Sequence, residues 1–340
     1  MTSAAPAKMS DTLLDFLIKY RTIVILLVLS LIFALLNHYF LYPTNLLNML
    51  KRMSYTAIVA FSMTFVITLG GLDLSVGSLA ALVGVSLGLL LNTGMPLVLA
   101  ILICLVFSVG LGGMNGVISV KGKIEPFLVT LATLYIFSGL ALVLSNGTPI
   151  PIVSDAFNNF FGNGLLFNVI PTPVLIMAII LALSLFLFKT TKFGFYVRAI
   201  GGNPEAAKVA GINISQVKLS AYMLSGAFAC ISGLILAALM SAGMPDIGAD
   251  LPLDAIAGVI LGGTAISGGL GSIWGTVGGT LIMAILSSGM ALLGAQSPVQ
   301  VLVKGIVIIL AVLLDNMLKS RGRLTGPKFQ LGSALKFRTR

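Results

Sequence analysis

Few side chains in this 340-residue chain have the type and spacing for chemistry. His38 is the sole histidine, and no G-x-S-x-G run accompanies it, so a histidine-assisted nucleophile lacks its partner. No group of His, Cys, Asp and Glu has metal-ligand spacing. No G-x-x-x-x-G-K-[ST] run exists to cradle a nucleotide. Cys104 and Cys230 stand inside apolar runs, where a thiol behaves as a small hydrophobe. No catalytic, metal-binding or cofactor-binding set is therefore expected, and an intramembrane enzyme is disfavoured.

The remaining candidates are carboxylates, hydroxyls and glycines. A carboxylate at the centre of a membrane helix costs about 2.5–3.5 kcal/mol and usually signals ion coupling. Asp73, Asp254 and Asp315 fall at the ends of apolar runs instead. For Asp73 and Asp254, helix N-capping and contact with a substrate or proton both stay open. Ser62, Thr64 and Thr68 share one apolar run, and the last two lie four apart on one helix face. With Asp73 and Asn115 they are the candidate wall of a path for a neutral polyhydroxylated solute. The alternative is that these hydroxyls bond back to their own helix. Gly262–Gly279 holds eight glycines in 18 residues, including Gly271, Gly275 and Gly279 at spacing four. That spacing favours close helix packing in lipid over phosphate binding, with a broken helix beside the permeation path as a second reading.

These residues sit in a chain that is 58% hydrophobic and 9% charged, with mean hydropathy +1.10. Such a balance belongs to a polytopic membrane protein, so the net charge of +10 reports topology and implies no nucleic-acid partner. At about 20 apolar residues per crossing, the charge-free runs give ten α-helical spans within residues 22–318. Span one is 22–41, with 43–52 a short interfacial helix, and span two is 53–72. Two spans share 74–120, span five is 126–145 and span six is 173–188. Span seven is 219–240, span nine 273–293 and span ten 299–314, with span eight short or broken near 254–270. Residues 1–21 form an N-terminal tail, and 319–340 form a basic C-terminal one. Of the 20 lysines and arginines, 17 fall on the side of the termini; Lys51, Arg52 and Lys304 are the exceptions. That asymmetry predicts cytoplasmic termini, with Lys304 snorkelling outward. Leu72-Asp73 with Gly77 echoes Leu253-Asp254 with Gly258, and Asn115-Gly116 before Pro126 echoes Ser288-Gly289 before Pro298. The echo suggests an inverted repeat of spans 2–5 and 7–10, with a chance match as the alternative.

The one polar stretch inside this apolar chain is 189–218. Asn203 is a good N-cap, Pro204 suits the first helical position, and Glu205, Ala206, Ala207 and Lys208 favour helix before Gly211 ends it. A short, surface-facing helix tied to spans at both ends can act as a lever for a separate motor. The outer loops 146–172 and 241–253 carry aspartates and no lysine or arginine.

The run Gly70-Gly71-Leu72-Asp73-Leu74-Ser75-Val76-Gly77-Ser78 resembles the signature of ribose-type permease subunits of bacterial ATP-binding-cassette sugar importers. Gly201-Gly202-Asn203-Pro204-Glu205-Ala206-Ala207 with Gly211-Ile212 is similar to their cytoplasmic coupling helix, although the I-x-L-P that often follows is missing. Leu253–Ala257 with Gly262-Gly263-Thr264, and Val303-Lys304-Gly305, are similar to two further blocks, so the likeness covers roughly residues 40–316. The resemblance implies an inner-membrane permease paired with a second permease subunit, identical or not. It also implies a cytoplasmic ATP-binding subunit on the coupling helix, a periplasmic sugar-binding protein on the outer face, and a pentose, hexose or related polyol as cargo. An ion-coupled secondary carrier is the alternative.

Overall fold

The computed structural model describes residues 21–325. The tails at 1–20 and 326–340, and the side chain of Asp315, lie outside the described residues. The helices in order are α1 (Arg21–Leu36), α2 (Pro43–Thr68), α3 (Val76–Asn92), α4 (Leu97–Gly122) and α5 (Pro126–Ser145). Then come α6 (Thr172–Thr190), α7 (Lys192–Gly202), α8 (Pro204–Val209), α9 (Ile214–Met240), α10 (Leu251–Leu261), α11 (Ile273–Leu292) and α12 (Ser297–Thr325). By length and composition α4, α5, α6, α9 and α11 can each cross a bilayer; α1, α3, α10 and the first turns of α12 are shorter apolar helices. With the 26-residue α2, these make the multi-pass α-helical bundle that the charge-free runs imply.

Boundaries follow local chemistry. Prolines occupy the first turn of α2, α5 and α6, where a missing N–H costs nothing. Gly70 (φ 82°) ends α2 with its N–H on the Ile67 carbonyl, and left-handed Lys123 and Asn146 end α4 and α5. Three expected boundaries differ. Span one stops at Leu36, because Asn37 caps a separate 3₁₀ turn, His38–Leu41, through the Tyr39 N–H. Residues 43–52 are not a separate interfacial helix: no breaker stands between Pro43 and Thr68, so they form the first turns of α2. Ahead of the expected short helix lies α7, capped by Thr191.

At the centre α2 and α9 pack on each other. Every residue of α2 from Thr56 to Thr68 is buried, as suits a helix apolar on all faces. Packing is reciprocal: α9 lies on α3 and α4, and α2 lies on α10 and α11. That exchange is the one an inverted repeat pairing α2–α5 with α9–α12 would produce. Small residues make the seams close. A Cβ on Gly226 would collide with the Ser108 carbonyl, one on Gly233 with that of Ala80, and one on Gly275 with that of Gly262. The glycine run 262–279 is therefore a packing element holding α10 against α11.

The loops at 146–171 and 241–250 do not simply cross the surface. Ile150–Pro151 (β1) pairs antiparallel with Ala242–Gly243 (β4); a small hairpin, Leu165–Leu166 (β2) with Ile170–Pro171 (β3), lies between them in sequence. From β4 the chain runs down α3: Gly243 packs on Gly84 and Gly248 on Gly77. Seven helical residues separate those contacts, a descent of about 10 Å at 1.5 Å per residue. Helix α10 thus starts inside the bundle, which is why span eight has only 11 residues.

Candidate functional site

Where the 241–250 segment descends, it leaves a cavity of about 370 Å³ at the end of the bundle opposite α7 and α8. Arg52, Tyr55 and Thr56 of α2 form one wall, and Asp246 and Asp250 of the descending segment another. Asp254 of α10, Ser287 of α11, and Gln300 and Lys304 of α12 complete it. Lys304 Nζ donates to Asp254 Oδ2 at 2.7 Å, with only 14% and 18% of the two side chains exposed. This overturns two expectations. Lys304 does not snorkel outward, because a carboxylate lies within its reach. Asp254 caps nothing: Asp250 holds the cap position of α10, without a side-chain bond, and Asp254 serves the ion pair.

The five candidate path residues lie elsewhere, in the packed interior, and none of them lines this cavity. The hydroxyls of Ser62, Thr64 and Thr68 donate to the carbonyls of Val59, Ala60 and Thr64, on their own helix. Thr64 also meets Thr276 Oγ1 at 2.7 Å, joining α2 to α11. Asp73, 1% exposed, stands two residues before the Ser75 cap of α3. Its Oδ1 accepts from the Ser75 N–H (3.0 Å) and hydroxyl (2.6 Å), and its Oδ2 accepts from Ser225 Oγ (2.7 Å). Asn115 Nδ2 donates to Ser75 Oγ at 2.9 Å, while Asn115 Oδ1 is buried without a partner. Asp73 and Asn115 thus come together, and Ser225 and Tyr222, whose hydroxyl reaches the Leu72 carbonyl, join them. A carboxylate with three donors satisfies the rule that buried charge must be bonded, and it ties α3 and α4 to α9.

At the opposite end α8 stands proud of the bundle. Asn203 Oδ1 accepts from the Ala206 N–H at 3.0 Å, Pro204 fills the first position, and Gly211 (φ 81°) closes the helix on the Lys208 carbonyl. Glu205 and Lys208 sit at the ends that suit a helix dipole. Pro204, Glu205, Ala206 and Lys208 are exposed, as is Val209 at 89%, while Ala207 anchors the inner face. The connection to the bundle runs through α7. Arg198 donates to the Phe188 carbonyl at 2.7 Å and lies over the Phe188 ring, and Phe193 stacks on Phe65 of α2. Gly201 presses on the Thr68 carbonyl, which also accepts from the Gly269 N–H at 2.9 Å. The end of α7, which leads directly into the exposed α8, therefore touches the end of α2 and the 264–271 turn together.

A glycine-bounded, capped helix on a multi-pass bundle is a feature that proteins of known type can share. Residues 45–312 match the branched-chain amino acid transport system / permease component family. The chain belongs to this permease family. It is 38% identical over 309 residues to a ribose import permease of Haemophilus influenzae, covering 90% of this chain and 95% of that relative. It is 42% identical over 292 residues to the ribose import permease of Bacillus subtilis, covering 86% and 90%. A xylose transport system permease of Escherichia coli is 30% identical, over 83% of this chain and 87% of the relative. No solved structure matches the chain. The protein is thus a multi-pass membrane permease.

Two polar contacts of the candidate sites escaped the sequence reading. The Asp254–Lys304 pair had one usable signal: a lone lysine in an apolar run needs a carboxylate, and residues 219–318 offer four, Asp246, Asp250, Asp254 and Asp315, without saying which. The role of Ser225 had none, since serine in an apolar span is ambiguous by type.

Proposed function

We propose that this chain is the transmembrane subunit of an ATP-binding-cassette importer that moves a small neutral sugar, a pentose, hexose or related polyol, into the cytoplasm. ATP hydrolysis belongs to a separate subunit that docks on Asn203, Pro204, Glu205, Ala206, Ala207, Lys208 and Gly211. A second permease copy or homologue completes the path, and a periplasmic sugar-binding protein delivers cargo to the loops at 146–172 and 241–253. The termini and the coupling loop 189–218 are cytoplasmic, in keeping with the lysine and arginine asymmetry.

The observation that carries this reading is the exposed, doubly capped α8 together with the preceding α7, whose Gly201 is wedged against Thr68 and Gly269. A surface helix with no grip on the bundle could not transmit force; here α7, which runs straight into α8, shares a seam with the central helix α2. Ser62, Thr64, Thr68, Asp73 and Asn115 then frame the path by holding its helices in register, and the solute passes the outer turns of α2. Ribose and xylose are the first cargoes to test, because similar permeases are named for them.

The decisive experiment reconstitutes the permease with its ATPase subunit and binding protein. Glu205→Trp and Gly211→Trp are expected to abolish ATP-driven uptake while membrane insertion persists. Uptake by the isolated permease in response to a proton gradient, or undiminished uptake by these variants, would refute the importer reading.

A further inference from the structure

We propose that the Asp254–Lys304 pair is a transit subsite, a place where a neutral polyhydroxylated solute lodges on its way through the permease. The proposal rests on the importer reading and adds to it which residues of this chain meet the cargo.

The pair is only partly satisfied. An ammonium has three donors, and among the described residues Lys304 Nζ uses one, on Asp254 Oδ2. Asp254 Oδ1 has no hydrogen-bond partner among the described residues and is not sealed from the cavity. Two N–H donors and one carboxylate oxygen are thus available on one wall. Neighbouring hydroxyls of a sugar present the matching set, a donor toward the carboxylate and an acceptor toward the ammonium. The buried Asp73 is a contrast, since Ser75 and Ser225 occupy both of its oxygens.

The rest of the cavity fits the same class of ligand. Tyr55 supplies an aromatic wall, and Ser287 and Thr56 add neutral hydroxyls. Its size of about 370 Å³ falls in the roughly 300–1,000 Å³ range of small-molecule sites. Asp246, Asp250 and Asp254 face Arg52 and Lys304, so no excess positive charge would draw in a phosphorylated or carboxylated sugar. The segment 246–254 that carries the three aspartates runs from the descending loop into α10. A solute held there touches α2, α10, α11 and α12 at once, the helices whose relative movement would release it inward.

The test uses the assembled transporter in proteoliposomes, with ribose as probe. Lys304→Met, Asp254→Asn and the cavity-filling Ser287→Trp are expected to lower uptake at least tenfold. Stimulation of ATP hydrolysis by the binding protein should stay within about twofold of wild type. Should the unaltered transporter show no ATP-driven uptake, the importer reading fails instead, and the next measurement still judges the subsite. In Ser287→Cys permease, a membrane-impermeant thiosulfonate reagent should label the new thiol, since Cys104 and Cys230 are buried. Excess ribose should slow that labelling, and ribose 5-phosphate or sodium chloride should not. Wild-type uptake by Ser287→Trp, labelling indifferent to ribose, or protection by sodium ions alone would each overturn the proposal.

Discussion

Gly201→Ala is expected to break the coupling between α8 and the bundle while leaving both in place. A Cβ at this position would overlap the Thr68 carbonyl oxygen and lie 2.5 Å from the Gly269 nitrogen. Both neighbours are backbone, so no side chain can swing aside. The seam must open by more than 1 Å to restore contacts of about 3.4 Å. Overpacking of this kind costs about 1–3 kcal/mol. The hydrogen bond from Gly269 N to Thr68 O, 2.9 Å long, is stretched with it, at about 0.5–1.5 kcal/mol. Replacing a helical glycine by alanine returns about 0.5–1 kcal/mol. The net penalty is about 1–3 kcal/mol, concentrated where α7, α2 and the 264–271 turn meet. If the transport cycle must re-form this seam, about 1.4 kcal/mol per tenfold gives a roughly five- to hundredfold fall in ATP-driven uptake. The control lies one residue on: Gly202 has nothing within 4 Å of its added Cβ and no positive φ, so Gly202→Ala should be silent. Uptake and ATP hydrolysis measured together in proteoliposomes separate lost coupling from lost protein. Wild-type uptake by Gly201→Ala, or equal damage from Gly202→Ala, would refute the argument.

Asn203→Ala removes the acceptor for the Ala206 N–H and should cost about 1 kcal/mol, seen as faster amide exchange across residues 204–209 with the bundle unchanged. Lys304→Met leaves Asp254 without its partner and should destabilise the detergent-solubilised permease by about 3 kcal/mol, whereas the double change with Asp254→Asn recovers most of that in a thermal melt but not the uptake. Thr64→Val and Thr276→Val should each cost about 1 kcal/mol and be less than additive when combined, because they share one 2.7 Å bond; full additivity would show that the bond contributes nothing. Thiol reagents applied to sealed cells should reach a cysteine at Asp246 but not one at Lys208, and the reverse pattern would invert the orientation.

Several features were legible because neighbours in sequence decide them. Apolar runs located the helices of the bundle, and Asn203, Pro204 and Gly211 marked α8, since a cap needs only the residues within four positions of it. The short span eight showed in its glycines and its missing leucines. What the hydroxyls of Ser62, Thr64 and Thr68 bond to was not legible. Ser62, Thr64 and Thr68 have the same types and spacing whether they face a solute or a packed helix, and burial alone separates those cases.

What the sequence determined by itself was the run of apolar helices and the exposed, capped α8, all set by hydropathy and short-range hydrogen bonding. What only the tertiary structure decided was which polar groups meet. Asp73 finds Ser225 across 152 residues, and Asp254 finds Lys304 across 50. The cavity exists because the 241–250 segment turns back along α3, past glycines that leave it room. A buried charge demands a partner but does not name one, so the choice falls to whichever helices the packing of small residues brings together.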